Sequence, residues 1–327
     1  MWRVRGPNAG LRGLSLLSTG LERAKTRVDD LAVRIRRTRN RHVLAAMYAA
    51  VGGTPPLRCN PDASTAVHTV TSHHHLRMYL TALKSLLRYY DDVAVVVHDD
   101  GSLDAADVAL LTTHVAGLRV IPRDSADREM DRILARYPRC RRLRERVVNS
   151  FELFDNMLLA PAARVVNLNS DVLFLREPLA VLEWLAGGDA SIAGVYEAEP
   201  AGQAALLERR GSGFPAHVTT ALACFYPDTC DLDLVESVLA ETTLDWFTAQ
   251  NLYPLLYERQ AATHPARFFD RESYQASGLF TEGAIFRHYW TSTGKFTDVQ
   301  RRDSARVLET LGAPSAWRKG DQKACAF

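Results

Sequence analysis

Two residues able to hold a hard cation stand two apart in the run RVVNLNSDVLFLREP, residues 164–178. They are Asn169 and Asp171, on either side of Ser170. Alternate residues of extended chain point the same way, so both side-chain oxygens can face one ion. Asp171 brings a charge; Asn169 offers an amide oxygen that coordinates without one. The apolar flanks, 165–168 and 172–175, read as strand on each side of the turn. An apolar strand ending in oxygen-rich residues sets those oxygens at the carboxyl edge of a sheet, where open α/β folds bind ligands. The plainer reading is a turn that favours Asn, Ser and Asp for its own backbone.

The elements around that turn follow from apolar patterning. Residues 67–71 form a short strand, and 76–90 a helix with Leu76, Tyr79, Leu80, Leu83 and Leu87 on its buried stripe. The three histidines between them, His73, His74 and His75, point in different directions at a helix start and read as structural or surface groups. The run VAVVVHDDGS, 93–102, is a strand buried on both faces that ends in Asp99 and Asp100. A helix over 104–115 follows, with Asp104 and Asp107 as acceptors for its first N–H groups. A third strand lies at 118–122. Strand and helix alternate, which predicts βαβ units and a mainly parallel sheet flanked by helices. Residues 123–159 read as charged helix with an arginine cluster at 139–146. Strands at 190–195 and 218–226, short helices at 179–185 and 232–239, and a lid-like loop at 200–213 complete the pattern.

The run LNSDVLF resembles the LDSDVLF segment of nucleotide-sugar glycosyltransferases of the GT-A fold. In that family a D-x-D triplet holds Mn²⁺ or Mg²⁺ against the donor diphosphate. Asp171 matches the second acid, and Asn169 replaces the first. The resemblance implies a GT-A-like, Rossmann-like α/β fold over roughly 65–298. It implies Asp99 and Asp100 at the nucleotide, and His288 completing a metal site with Asp171 and Asn169. It also implies Lys295 near the diphosphate. The stretch LDWFTAQ, 244–250, is similar to the family's helix start carrying an acid–Gln pair. Gln250 matches, and Ala249 stands where the acid is expected. If the helix runs through both, Asp245 shares a face with Ala249 and is the candidate base, about one 5 Å turn away. Two further departures are Asn149, Phe151 and Glu152 where a basic residue is expected, and Thr219-Thr220-Ala221 in place of an NTGLF-like strand. The implied activity is sugar transfer from a nucleotide-sugar donor to a polysaccharide, lipid-linked or natural-product acceptor, with weakened dependence on Mn²⁺ or Mg²⁺. The alternative is a degenerate transferase-like protein that binds a nucleotide sugar or a protein partner without turnover.

Length and charge bound the rest. The 327 residues allow one large domain or two small ones. Residues 1–50 hold eleven Lys plus Arg against three Asp plus Glu. That stretch is therefore +8, and the remainder −6, of a chain total of +2. The basic excess belongs to an N-terminal helical arm, 1–60, ahead of a transferase-like domain at 61–300 and a tail at 301–327. An amphipathic helix at 21–41 either packs on the domain with its basic face solvated or makes peripheral contact with an anionic membrane. The arginine cluster is too short and too poor in aromatics for nucleic acid. Cys59, Cys140, Cys224, Cys230 and Cys325 form no C-x-x-C pair. No G-x-G-x-x-G or G-x-x-x-x-G-K-[ST] fingerprint is present, which argues against NAD-dependent and P-loop enzymes. The apolar patch at 14–17 is too short for a secretory core, so the expected place is the cytoplasm, including its membrane face.

Overall fold

The structure is a computed structural model, and it describes residues 38, 40, 42–188, 194–196, 218–264, 267–276 and 280–312. The expected lid at 200–213 and almost all of the expected helix at 21–41 lie outside these. The strands, in chain order, are β1 (Leu57–Arg58), β2 (Thr65–Thr71), β3 (Ala94–Asp99), β4 (Val115–Ala116), β5 (Arg119–Ile121), β6 (Arg164–Leu168), β7 (Val172–Phe174), β8 (Gly194–Tyr196), β9 (Val218–Phe225), β10 (Tyr274–Ala276) and β11 (Phe286–His288). Six of them make the main sheet in the order β5-β3-β2-β6-β9-β8. β5, β3, β2 and β6 run parallel, as the alternating pattern predicts. β9 runs antiparallel to both β6 and β8, a reversal the apolar runs do not signal. A second ladder, β10-β11-β7, stands beside it, with β11 antiparallel to β7.

β2, β3 and β6 are buried over nearly their whole length because helices cover the sheet, while the edge strand β5 is partly exposed. The helix Leu76–Leu87 buries every residue but Arg77, and its C-terminal half packs on β7 through Ser85, which accepts the Phe174 N–H at 3.0 Å. The helix Ala105–His114 starts on a reciprocal cap, Asp104 accepting from Ala106 and Asp107, and Asp107 accepting from the Asp104 N–H. Such a pair satisfies donors that the first turn leaves open.

One expectation is refined and two need correction. The charged stretch 123–159 is three helices, Arg123–Ile133, Pro138–Arg146 and Ser150–Leu158. The first break is fixed by Pro138, which opens the second helix where a missing N–H costs nothing. The arm does not run to residue 60. Leu44, Met47, Tyr48 and Val51 sit in the main core, and β1 pairs with β4. Nor does the domain end at 300. The helix Thr297–Thr310 crosses that boundary and buries Gln300, Asp303, Ser304, Val307 and Leu308. Among the described residues, no helix is long and apolar enough to cross a membrane.

Candidate active site

The carboxyl ends of β2 and β6 open into a cavity of about 510 Å³. Because β9 is antiparallel to β6, and Leu168 pairs with Leu222, the start of β9 overhangs that same edge. It contributes Thr219 and Thr220 to the wall. Asn169, Ser170 and Asp171 enter from the β6–β7 turn, and His288 from the end of β11. Glu152 comes from the helix Ser150–Leu158, and Gln250 from the helix Thr248–Ala261.

A chain of amides sets the turn. Asn156 Nδ2 donates to the buried Asn167 Oδ1, and Asn167 Nδ2 donates to the Thr220 carbonyl and, at 3.3 Å, to Asn169 Oδ1. The Asn169 N–H donates to the Ala221 carbonyl at 3.0 Å. Asp171 is held more tightly. Its Oδ2 accepts the Thr291 N–H at 2.8 Å, and its Oδ1 lies 3.4 Å from His288 Nε2. Burial works against its charge, but His288, the Thr291 N–H and His75 outweigh burial and hold its pKa down at about 2.

Asp171, His288 and Asn169 all line this cavity, and Asp171 and His288 are in direct contact. Two ligand atoms each about 2.1 Å from one ion lie roughly 3–3.5 Å apart, the span between Asp171 Oδ1 and His288 Nε2. One carboxylate, one imidazole and one amide fit a divalent cation, with one negative charge fewer than a D-x-D site. Among the described residues, a close group of three His, Cys, Asp or Glu side chains occurs elsewhere, at His73, Asp104 and Asp107. There the atoms are occupied by the helix cap and by a 2.7 Å pair between His73 and Asp107.

The other expected residues divide. Gln250 lines the cavity and donates to the Val218 carbonyl at 2.9 Å, tying the helix start to β9. Asp100 is at the cavity edge, but its Oδ1 accepts from the Ser102 N–H and hydroxyl. Asp99 does not line the cavity; its Oδ1 accepts from Gly101 and Leu103 and closes the turn after β3, where Gly101 has φ 99°. Lys295 borders a separate hollow with Asn40 and Asp298, its ammonium 5.3 Å from the Phe296 ring. Asp245 is a correction. The helix begins at Thr248, so Asp245 precedes it and shares no helical face with Ala249. Its Oδ1 accepts from the Phe247 N–H and the Thr248 hydroxyl, an exposed turn outside the cavity. Ala249 itself is fully buried.

The group that sequence reasoning passed over is Glu152. Burial raises its pKa to about 7, with Asp171 adding to the rise against the lowering by Thr220, His288 and Asn167. Its Oε2 is buried without a hydrogen-bond partner among the described residues. The helix that carries it is pinned by Arg144, which forks onto Asp155 at 2.7 and 2.8 Å and reaches Asp127 at 2.7 Å. The signal in the sequence was an acid at a position where the family pattern has a base. The cavity lining is partly aromatic: Trp246 and Phe247 are 57% and 41% exposed, and Trp290, at φ 46°, also lines it. A bulky residue in left-handed backbone is rare and tends to persist at functional sites.

Fold and site together define an α/β protein with a mainly parallel sheet and a pocket at its carboxyl edge. Among solved structures, the chain is similar to the galactosyltransferase LgtC in complex with donor and acceptor sugar analogues. That match has 13% identity and a TM-score of 0.47, and covers 78% of this chain and 99% of that one. The bifunctional glycosyltransferase WbbM matches at 14% and 0.47, over 76% of this chain and 51% of its own. Mouse xyloside xylosyltransferase 1 matches at 9% and 0.42, over 71% and 98%. No protein-family model and no curated protein matches the chain.

Proposed function

We propose that this protein transfers a glycosyl group from a nucleotide sugar to a hydroxyl of a glycan or lipid-linked acceptor. The observation that carries the reading is the placement of Asp171, His288 and Asn169 on one cavity with the half-buried Glu152, whose pKa is raised to about 7. A divalent cation held by Asp171, His288 and Asn169 would offset the charge of the leaving diphosphate. Glu152, poised near pH 7, takes the proton as the acceptor oxygen bonds to the anomeric carbon and the bond to the diphosphate breaks. A base with that affinity is about half ionised at neutral pH and still strong enough to accept. Trp246 and Phe247 give the cavity an exposed apolar face, suited to the acceptor rather than the charged donor. Peripheral membrane contact through residues 21–41, at the cytoplasmic face, would suit a lipid-linked acceptor.

One observation favours a second reading. Among the described residues, no lysine or arginine lines the cavity, so a diphosphate there depends on the cation or on His75 and His288. A protein that binds a nucleotide sugar without turnover needs no more than that. Thermal unfolding against a panel of nucleoside diphosphates and nucleotide sugars, with and without Mn²⁺, tests both. A donor at 100 times its dissociation constant stabilises by about 2.7 kcal/mol. A shift with one donor that needs Mn²⁺, together with release of its nucleoside diphosphate on adding acceptor, is the expected result. A shift without release supports binding alone, and no shift with any donor overturns both.

A further inference from the structure

A second cavity, of about 430 Å³, lies at the other end of the β7–β11 ladder. Val172 pairs with His288 at the end that holds the candidate active site. Phe174 pairs with Phe286 at the opposite end, and this cavity opens beyond it, at Leu175 and Ala284. Five guanidiniums line it: Arg88, Arg176, Arg287, Arg302 and Arg306. The carboxylates there are Glu282 and Asp303. The formal excess is three positive charges.

The carboxylates do not neutralise that excess. Asp303 is used by Arg287 at 2.6 Å and by the Tyr289 hydroxyl at 2.9 Å, with Arg302 at 3.7 Å. Arg88 reaches only neutral acceptors, the Thr310 hydroxyl at 2.5 Å and the Phe174 carbonyl at 2.9 Å. Its Nε is buried with no acceptor among the described residues. Arg176 and Arg306 are exposed and form no ion pair among the described residues. Like charges gathered in one hollow repel, and a buried N–H without an acceptor is costly. Both debits are removed by an anion with several acceptor oxygens. Guanidinium forks match phosphate oxygens two at a time, which an ammonium does not.

We propose that this cavity is a binding site for a phosphate or diphosphate group, separate from the candidate active site. The group is carried by a soluble phosphorylated molecule or by a lipid headgroup. Arg88, Arg176 and Arg306 make the contacts, and Arg287, locked on Asp303, supplies field from behind.

The test uses the full chain and inorganic pyrophosphate without divalent cation, followed by calorimetry and thermal unfolding at matched ionic strength. Wild type is expected to bind and to gain several degrees in Tm. Arg176→Ala with Arg306→Ala, both exposed, is expected to fold, to keep its Tm without anion, and to bind pyrophosphate at least tenfold more weakly. Asp171→Asn is expected to bind it as wild type does. A second arm uses phosphatidylcholine vesicles with and without phosphatidic acid. Sedimentation that depends on phosphatidic acid and is lost in the double variant assigns the headgroup. Pyrophosphate binding without such sedimentation assigns a soluble ligand. If neither probe binds in a way that Arg176 and Arg306 control, or if the Asp171 variant alone loses pyrophosphate, the proposal is overturned.

Discussion

Glu152 and Asp171 face one cavity from different elements, and the charge on Asp171 helps keep a proton on Glu152. One carboxyl is held down at about 2 and the other raised to about 7. Two acids so divided have different uses at neutral pH: a permanent anion that faces a cation, and a group that exchanges a proton.

The first prediction concerns pH. Glu152 binds its proton more tightly when folded than when unfolded, so it costs stability as pH rises from the ordinary carboxylate range, about 4.5, through about 7. Glu152→Gln is therefore expected to be more stable than wild type at pH 8, on the order of 2–3 kcal/mol, and no more stable at pH 4. Tm differences across that range check it. Turnover moves the other way: kcat/KM in wild type rises through about pH 7, and the variant loses roughly 10²–10⁴-fold. A Glu152→Gln enzyme with an unchanged pH profile would falsify the assignment.

Asn169→Asp restores a second carboxylate to a turn already shaped for it. Asn167 Nδ2 can donate to either residue, so the geometry at Asn169 Oδ1 is kept. Mn²⁺ affinity, by titration calorimetry on the donor-free protein, is expected to tighten roughly tenfold, about 1.4 kcal/mol, because the added charge favours a hard cation. Equal affinity in the two proteins would mean that residue 169 does not reach the ion.

Acid is expected to unfold the protein partly through two buried imidazoles. His68 Nδ1 and His98 Nε2 are 2.9 Å apart on neighbouring strands, and both rings are buried. Burial first, with Arg119 and Arg144 adding to it, pulls His98 down to about 3; burial and His98 pull His68 well below its usual range. The unfolded chain takes up protons below about pH 6.5 that the folded chain refuses, so stability is lost as pH falls from 6.5 toward 3. Urea unfolding at pH 7.5 and 4.5 is expected to differ by a few kcal/mol, of order 2–4. His68→Leu with His98→Leu is expected to show a flatter dependence.

Asp303 decides where the domain ends. It is buried with Arg287 at 2.6 Å and Tyr289 at 2.9 Å. Asp303→Ala leaves a buried guanidinium without its counter-charge, a loss of about 3–5 kcal/mol by chemical denaturation. A chain cut after residue 300 also loses Val307 and Leu308 from the core and is expected not to fold. A folded, cooperative product of that truncation would restore the boundary at 300.

Local patterning by itself determined a good part of this protein. A continuous apolar run marked β3, short β-rich segments marked β2 and β6, and caps such as Asp104 marked where helices begin, because those signals lie within a few residues of one another. The turn Asn169-Ser170-Asp171 was legible for the same reason. What only the tertiary structure decided depends on groups far apart in the chain. The reversal of β9 carries Thr219 and Thr220 to the carboxyl edge, and strand direction is not written in an apolar run. A one-turn error in the start of the helix Thr248–Ala261 was enough to misplace Asp245, since helix boundaries are the least certain part of any pattern. In the sequence Glu152 shows only as an acid where a basic residue is expected, with nothing to mark it as a proton acceptor. Its affinity for a proton comes from burial and from Asp171, nineteen positions away, and neither exists until the sheet has closed around them.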